Sequence, residues 1–242
     1  MAIGPASETV VLVAGGEPLD ARLACVVPPG APVVAADSGL DHALALGLRP
    51  DLVVGDLDSA SPGAVALAAS RGARIDRHPA AKDATDLDLA VAAAVEAYAP
   101  DRLVVLSGGG GRADHLLSLP ALVTAPSTAA LRIEAWCGRA LLLVARPGRP
   151  VTIDAPAGSL VSVLPAHGPA RGIELSGLLW SRTGLDLAAG STRGISNVVD
   201  RPPVRISVTA GTLLIVRPDA VDSLPDTTVS TPSHQRTEER AT

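Results

Sequence analysis

Residues 33–59 read VVAADSGLDHALALGLRPDLVVGDLDS, and this stretch decides the fold. Two short apolar runs, Val33–Ala36 and Leu52–Val54, each end in an acidic motif that contains glycine, and an Ala/Leu-rich helical pattern separates them. Continuous apolar runs of this length are typical of strands that are buried on both faces. A strand, a helix and a second strand in this order predict a parallel pair joined by a crossover helix.

The same alternation extends over the first half of the chain. The pattern predicts strands at Thr9–Ala14, Pro32–Ala36, Asp51–Val54, Ala73–Asp76, Arg102–Leu106 and Leu131–Cys137, and helices near Leu19–Val26, Leu40–Leu46, Pro62–Arg71, Asp86–Tyr98 and Ala113–Thr124. We therefore predict the α/β class, with a mostly parallel-sheet, Rossmann-like N-terminal domain over residues 1–137.

The pattern changes after residue 138, where Gly and Pro separate short strand-like stretches and no long helical period survives. These stretches are Ala140–Ala145, Val151–Asp154, Leu160–Leu164, Gly172–Leu179, Val204–Val208 and Thr212–Arg217. They predict a C-terminal all-β sandwich domain over residues 138–218. Residues 219–242 are polar and rich in Thr, Ser, Glu and Arg, so we expect a disordered tail there.

The composition excludes several classes of protein. Hydrophobic residues make up 47% of the 242 residues, which is incompatible with wholesale disorder. A net charge of −5 without a Lys/Arg-rich run argues against a nucleic-acid partner. The cysteines Cys25 and Cys137 are isolated, which argues against a disulfide framework or a structural zinc site. No apolar run has the length of a membrane span and no secretion signal opens the chain, so we expect a cytoplasmic protein with no membrane partner.

Acidic motifs follow three of the predicted strands. They are Asp37-Ser38-Gly39, Gly55-Asp56-Leu57-Asp58-Ser59 and Lys82-Asp83-Ala84-Thr85-Asp86. Ligands of open parallel sheets bind at the carboxyl ends of the strands, so these carboxylates should face one crevice. Clustered carboxylates repel one another unless a cation neutralises them, and Mg²⁺ bridges carboxylates to substrate phosphates. We expect Asp56 and Asp58, which are two residues apart, to share one face of an extended segment and to hold the ion.

A simpler interpretation is that each aspartate only caps a helix or stabilises a turn. Asp86, at the start of the helix that ends at Tyr98, is the best candidate for such a cap. Three acidic motifs after three strands make this interpretation weaker for the set than for any single member.

A glycine-rich loop, Ser107-Gly108-Gly109-Gly110-Gly111-Arg112-Ala113-Asp114-His115, joins the strand that ends at Leu106 to a helix. Unshielded N–H groups at a helix N-terminus form a natural phosphate cradle, and Arg112 could bind a phosphate oxygen. Asp114 and His115 could contact a second substrate or transfer a proton, although His115 could equally be an ordinary polar residue at a helix start. A flexible surface turn remains the alternative for the loop. The sequence contains neither a Walker-type P-loop nor a dinucleotide fingerprint that opens the first helix.

Taken in order, these motifs resemble those of the thiamine pyrophosphokinase family. The matching segments are Ala36–Gly39, Gly55–Ser59, Lys82–Asp86, Gly110–His115, Gly177–Trp180 and Gly190–Asn197, and they span about residues 10–217. The resemblance implies an α/β domain that binds ATP and Mg²⁺, and a β-sandwich that completes the thiamine site. It also implies a homodimer, with thiamine near the interface, that transfers a diphosphoryl group from ATP to the thiamine hydroxyl and releases AMP.

The resemblance assigns roles to residues of this chain. The catalytic group is Asp37, Asp56, Asp58, Asp83 and Asp86, and all of these except Asp86 are predicted metal ligands. The predicted ATP contacts are Lys82, Thr85, Gly109, Gly110, Gly111, Arg112, Asp114 and His115, and the predicted thiamine contacts are Trp180, Ser196 and Asn197. In a chain with no Phe, a Trp in Gly-Leu-Leu-Trp is suited to stacking on a cationic ring, although core packing is its alternative.

The chain departs from the family pattern at two places. Ala81 stands where members often carry a further acidic residue, and Ser118–Pro120 stand where an Asn often follows the glycine loop. Two rival functions remain: a pyrophosphokinase for another alcohol, such as a hydroxymethylpterin, and a non-catalytic nucleotide- or thiamine-binding regulator.

Overall fold

The computed structural model describes residues 8–81 and 83–226 of the chain. The strands are β1 Thr9–Val13, β2 Val33–Ala36, β3 Leu52–Gly55, β4 Arg74–Arg77, β5 Arg102–Ser107, β6 Arg132–Cys137, β7 Ala140–Ala145, β8 Val151–Ile153, β9 Leu160–Ser176, β10 Arg182–Leu187, β11 Asn197–Val198, β12 Val204–Ser207 and β13 Ala210–Arg217. The α-helices are α1 Gly39–Ala45, α2 Pro62–Ser70, α3 Asp86–Tyr98 and α4 Ala113–Thr124, and 3-10 helices lie at Ala21–Val26, Pro126–Thr128 and Ala220–Ser223.

The first six strands form a parallel sheet in the order β4-β3-β2-β1-β5-β6. The chain leaves the central strand β1 toward β2 on one side and later continues at β5 on the other. A reversal of this kind opens a crevice outside the carboxyl ends of the strands. The loops after β1, β2 and β5 meet at this crevice.

Alternating side chains of β1 show that both faces of the parallel sheet are covered. Val10 and Leu12 belong to the core beneath α3 and α4, whereas Val11 and Val13 belong to the core on the opposite face. This burial on both faces explains the continuous apolar runs. The predicted covering of the sheet by helices on both faces is confirmed.

Antiparallel strands continue the sheet across the predicted domain boundary at residue 138. β7 pairs with β6 and with β13, and β13 pairs with β9. β9 is 17 residues long and also pairs with β10, β11 and β12. The antiparallel strands enclose a separate core that includes Ile173, Leu187 and Ile206. The chain is therefore a mixed α/β protein built on one large sheet that is parallel first and antiparallel later.

Several expectations for individual elements are wrong. Leu160–Leu164 and the first five residues of Gly172–Leu179 belong to the single strand β9, which ends at Ser176, and the sequence pattern missed β10 and β11. The expected helix near Leu19–Val26 is a 3-10 helix, Ala21–Val26, and it ends at Val27, which precedes proline and adopts an extended conformation.

The expected disorder from residue 219 is also wrong for the residues up to 226. Ala220–Ser223 form a 3-10 helix, and Ala220 and Val221 are buried in the core on the face of the sheet opposite α3. The adjacent apolar side chains of Ala220 and Val221 therefore hold this short segment on the sheet, although the sequence around them is mostly polar. Over residues 8–81 and 83–226, no helix is long and apolar enough to cross a membrane.

Candidate active site

Three aspartates come together at the carboxyl edge of the parallel sheet. Asp37 follows β2, and Asp56 and Asp58 follow β3. β2 and β3 pair in parallel with Ala36 opposite Val54, so their carboxyl ends lie side by side. One carboxylate oxygen from each aspartate lies within 4.8 Å of the other two. These three residues form the acidic triad of the protein.

A turn places Asp58 beside Asp56. Leu57 has a φ of +63°, which is uncommon for a leucine, and its side chain is buried against α1 and α2. The Asp58 amide donates to Asp56 Oδ1 at 3.3 Å. The expectation of an extended segment is therefore wrong, because the turn at Leu57 brings the two carboxylates together.

Asp37 is the member of the acidic triad whose side chain most clearly lacks a binding partner. Its Oδ1 is buried without a hydrogen-bond partner. Burial raises the pKa of this carboxyl, and the charges of Asp86 and Asp56 raise it further. A cation with oxygen ligands would satisfy Oδ1 and offset the repulsion within the acidic triad, so the donor set fits Mg²⁺.

Gly55 allows a fourth carboxylate to approach the acidic triad. Its φ is +143°, and a Cβ at this position would lie 2.9 Å from Asp86 Oδ1 and 3.3 Å from the Asp37 Cβ. Any side chain would therefore displace one of the two aspartates. The glycine of the second motif is needed for this close approach.

The third acidic motif divides into residues with different positions. Thr85 is the N-cap of α3: the Asp88 amide donates to Thr85 Oγ1 at 3.1 Å, and the Thr85 amide donates to Asp88 Oδ2 at 3.2 Å. Asp86 is thus the first helical residue, and the interpretation of Asp86 as the cap is wrong. Asp83 is exposed and lies outside the acidic triad. Lys82 lies outside the described residues.

The loop after β1 packs against the glycine loop and was missed as part of the site. Gly16 forms a parallel bridge with Gly109, and the Glu17 amide donates to the Gly109 carbonyl at 2.9 Å. A Cβ on Gly108 would lie 1.6 Å from the Glu17 carbonyl oxygen. The sequence feature that could have revealed this loop is Gly15-Gly16, which comes directly after a strand. This loop also approaches Ser38, so it joins the glycine loop to the acidic triad.

The glycine loop leads into α4 through three residues with left-handed backbone conformations. Gly109, Gly110 and Gly111 all have φ between +63° and +66°. Arg112 donates to both carboxylate oxygens of Asp114, from Nε at 3.2 Å and from Nη2 at 2.6 Å. This ion pair lowers the pKa of Asp114 to about 2. The His115 side chain is exposed, and its amide donates to Asp114 Oδ1.

A second set of predicted residues surrounds Trp180 in the antiparallel half. The Trp180 side chain is half exposed, whereas Asn197 is 6% exposed. Asn197 Oδ1 accepts from the amides of Trp180 and Val198, and Asn197 Nδ2 donates to the Trp180 carbonyl. Asn197 therefore holds the backbone of Trp180. Ser196 is exposed, has a φ of +59° and donates its amide to Ser162 Oγ.

A cavity of about 310 Å³ opens at the start of α3, where its lining residues Thr85 and Leu87 flank Asp86, and it also borders α4. Thr85, Asp88 and Ser118 line it, together with Leu87, Ala121, Leu122, Ala125 and Ser127. The aspartates of the acidic triad do not line it, so it adjoins the site rather than containing it.

Fold and site together define an α/β protein with a carboxylate cluster and a glycine loop at the carboxyl ends of parallel strands, as in enzymes that handle phosphate groups. Residues 31–134 match the model of the thiamin pyrophosphokinase catalytic domain, and residues 151–213 match that of its vitamin B1 binding domain. The two matches cover more than half of the chain, which therefore belongs to the thiamin pyrophosphokinase family. The expected family and enzyme class are confirmed.

Solved structures with the same architecture carry the same family name. Thiamine pyrophosphokinase from Bacillus subtilis is 25% identical with a TM-score of 0.75, and the match covers 86% of this chain and 98% of that one. The enzyme from Geobacillus thermodenitrificans is 27% identical with a TM-score of 0.73, covering 91% and 99%. The Candida albicans enzyme, at 13% identity and a TM-score of 0.70 over 89% and 95%, shares the fold. No curated protein sequence matches this chain significantly.

Proposed function

We propose that this chain transfers the diphosphoryl group of ATP to the hydroxyl of thiamine, giving thiamine diphosphate and AMP. The observation that carries the proposal is the acidic triad, with oxygens within 4.8 Å, in a chain that matches both family domains. Such transfer depends on positioning and charge neutralisation rather than on a covalent nucleophile.

Asp56, Asp58 and Asp37 would hold Mg²⁺, and the exposed Asp83 would reach it only if its loop closes over the nucleotide. When bound, the ion neutralises charge on phosphate oxygens. The buried, unpartnered Oδ1 of Asp37 supports its assignment as a ligand. Asp86 lies close to the acidic triad because Gly55 has no side chain, and it adds negative charge there. It would orient the metal ligands or the incoming hydroxyl.

The glycine loop would receive the ATP phosphates. Gly109, Gly110 and Gly111 turn the backbone at the start of α4, where N–H groups favour an anion. Arg112 would exchange the carboxylate of Asp114 for a phosphate oxygen, and Lys82 would offset further phosphate charge. Asp114, once released, and His115 would contact the nucleotide, and Thr85 would meet ATP through the mouth of the adjoining cavity.

Thiamine would stack on the half-exposed indole of Trp180 through its cationic ring. Ser196 would contribute a hydroxyl to the pyrimidine, and Asn197 would act by holding Trp180 in place. Leu179 and Ile195, which flank this region in sequence, are 57% and 47% exposed. An exposed apolar surface of this kind supports a homodimer whose interface covers the thiamine site.

The proposal includes a Rossmann-like half that binds ATP, a sandwich half that binds thiamine, and a location in the cytoplasm. The separate core of the antiparallel strands supports the division into two halves.

Product analysis tests the proposed reaction. The purified chain is incubated with ATP, Mg²⁺ and thiamine, and the products are separated by chromatography. We expect AMP and thiamine diphosphate in equal amounts, and none without thiamine. Formation of ADP would contradict diphosphoryl transfer, and a hydroxymethylpterin accepted in place of thiamine would contradict the proposed acceptor.

A further inference from the structure

A second cavity of about 310 Å³ lies where β13 ends, beside the turn that precedes β9. The turn that precedes β9 and the segment that follows β13 line it: Pro156, Gly158, Ser159, Leu160, Arg217, Asp219, Ala220, Asp222 and Ser223. The predicted catalytic, ATP and thiamine residues are absent from this lining. Its volume is at the small end of ligand pockets, which run from about 300 to 1,000 Å³.

Arg217 is a buried charge on the wall of this cavity. It is the last residue of β13 and alternates with the core residues Leu213 and Ile215, so its side chain shares their buried face. Only 6% of the residue is exposed. Its Nη2 donates to Ser223 Oγ at 2.9 Å, and its Nε is buried without a hydrogen-bond partner. A buried guanidinium that keeps an unused donor is costly, since buried charges are normally paired.

The carboxylates of the cavity wall are engaged with other arginines. Asp222 pairs with Arg139 and lies 3.6 Å from Arg22, and Asp219 lies 3.9 Å from Arg139. Arg217 makes no ion pair with any carboxylate of residues 8–81 and 83–226 that the structure records. Burial lowers the pKa of Arg217. The positive charge of Arg217 is therefore left for a group that enters the cavity.

We propose that this cavity is a binding site for a small oxyanion, a phosphate or a carboxylate, held by the guanidinium of Arg217. The guanidinium, which has no carboxylate partner among the described residues, supplies the charge, and Ser159 and Ser223 on the same wall supply further polar contacts. The planar fork of an arginine matches the geometry of two oxyanion oxygens. The site is independent of the proposed transfer reaction and would bind its anion without ATP or thiamine.

Calorimetric titration of the full chain tests this site. Inorganic phosphate and acetate are titrated separately at constant ionic strength, with chloride as the reference anion, in wild type and in Arg217→Met. We expect the wild type to bind at least one of the two oxyanions, and R217M to bind it at least about tenfold more weakly. The phosphate and acetate arms identify the preferred oxyanion. Methionine fills a similar space without a charge, so R217M should fold with an unchanged or higher melting temperature in oxyanion-free buffer.

Two control variants separate this site from others. Arg205→Met removes an exposed arginine from β12, which β9 separates from β13, and should leave binding unchanged. Arg112→Met removes the arginine of the glycine loop and should leave the Arg217-dependent binding intact. Arg217→Lys keeps the charge but loses the fork, so it should also bind more weakly, and it carries the test if R217M does not fold. Equal affinity in wild type, R217M and R217K would overturn the proposal, as would a wild type that binds neither oxyanion.

Discussion

Asp37 shows how burial and charge combine at a single residue. Its Oδ1 is buried without a hydrogen-bond partner, while Asp56, Asp58 and Asp86 lie close by. Burial and neighbouring negative charges both oppose ionisation of a carboxyl. A buried carboxylate beside other carboxylates contributes little to the stability of the fold. A bound cation would offset the repulsion between them. This makes the acidic triad the place where loss of one charge should affect activity more than stability.

Asp56→Asn removes one oxygen ligand and one negative charge. We expect thiamine diphosphate formation to fall at least about 100-fold, because charge neutralisation at transferring phosphates supplies much of the rate. The melting temperature should stay the same or rise, since repulsion within the acidic triad is reduced. Steady-state kinetics and thermal unfolding measure the two effects.

Asp101→Asn is the matched control for that variant. Asp101 is exposed and lies just before β5, at the opposite edge of the same sheet. It should retain wild-type turnover. Full activity of Asp56→Asn would contradict the metal assignment, and equal losses in both variants would point to a general effect on folding.

Asn197 acts in the structure through Trp180. Asn197→Ala removes two acceptor contacts and one donor contact from a buried side chain. We expect a loss of about 2–4 kcal/mol in the free energy of unfolding and a higher KM for thiamine, because each lost hydrogen bond leaves a backbone group without a partner. Urea unfolding and thiamine kinetics measure these effects.

Ser196→Ala provides the comparison at the adjacent, exposed position. Its free energy of unfolding should change by less than about 0.5 kcal/mol. A raised KM without a change in stability would identify the Ser196 hydroxyl as a substrate contact. If Asn197→Ala were as stable as wild type, the role of Asn197 in holding Trp180 would be refuted.

At the scale of elements, the start of α3 shows why the third acidic motif fits both helix capping and ligand binding. Thr85 caps the helix, so Asp86 begins the first turn beside the acidic triad. Thr85→Ala should lower the free energy of unfolding by about 1 kcal/mol, whereas Thr85→Ser should retain most of it, because serine also caps helices well. Chemical denaturation of both variants measures the difference. If Thr85→Ala lowered ATP affinity while stability stayed constant, Thr85 would be a nucleotide contact and not mainly a cap.

The glycine loop contains glycines that are required for different reasons. A Cβ at Gly108 would collide with the Glu17 backbone, whereas a Cβ at Gly111 would meet open space at a φ of +66°. Gly108→Ala should therefore prevent the loop after β1 from packing and cost more than about 3 kcal/mol, while Gly111→Ala should cost about 1 kcal/mol. Thermal unfolding of the two variants tests this order, and a reversed order would contradict the packing of the two loops.

At the scale of the whole molecule, two arginines tie the helical half to the antiparallel half. Arg146, which follows β7, donates to the Thr124 and Ala125 carbonyls at the end of α4 and to Thr212 in β13. Arg149 donates to the Ala129 and Ala130 carbonyls. These contacts satisfy carbonyls near a helix end that would otherwise lack partners. They fix α4, and with it the exit of the glycine loop, relative to the antiparallel strands.

The segment Ala220–Ser223 is held on the molecule partly by charge, which makes its attachment sensitive to pH. Asp20 pairs with Arg22, which also lies 3.6 Å from Asp222. Hydrogen bonds from Arg22 lower the pKa of Asp20 from its ordinary value of 3.8 to about 2. A lowered carboxyl pKa adds stability that is present above the ordinary pKa and is lost as the pH falls toward the folded value.

Asp20→Asn should therefore be less stable than wild type above pH 4, by no more than about 1 kcal/mol because solvent screens the pair. The difference should shrink between pH 4 and pH 2. Urea unfolding of both proteins across this range measures it. A difference that stays constant down to pH 2 would show that the Asp20 charge does not contribute.

The first half of the fold was predictable to within one or two residues for most elements. α3 and α4 begin and end as expected, because their apolar periodicity and their flanking residues are local signals. The antiparallel half was less predictable. β9 runs through Gly168 and Gly172, which read as breaks between strands, and pairing with β13 on one side and with β10 and β12 on the other holds it together.

The sequence by itself determined the order of strands and helices along the parallel half, the end of each strand to within one residue, and the family to which the chain belongs. Apolar period, turn chemistry and motif order are properties of neighbouring residues, so they can be read without coordinates. Only the tertiary structure decided that Asp37, Asp56 and Asp58 form one cluster without Asp83, that Asn197 holds Trp180, and that Arg217 is buried beside a cavity. These facts depend on distances between segments that are far apart in the chain, and strand register and core packing set those distances.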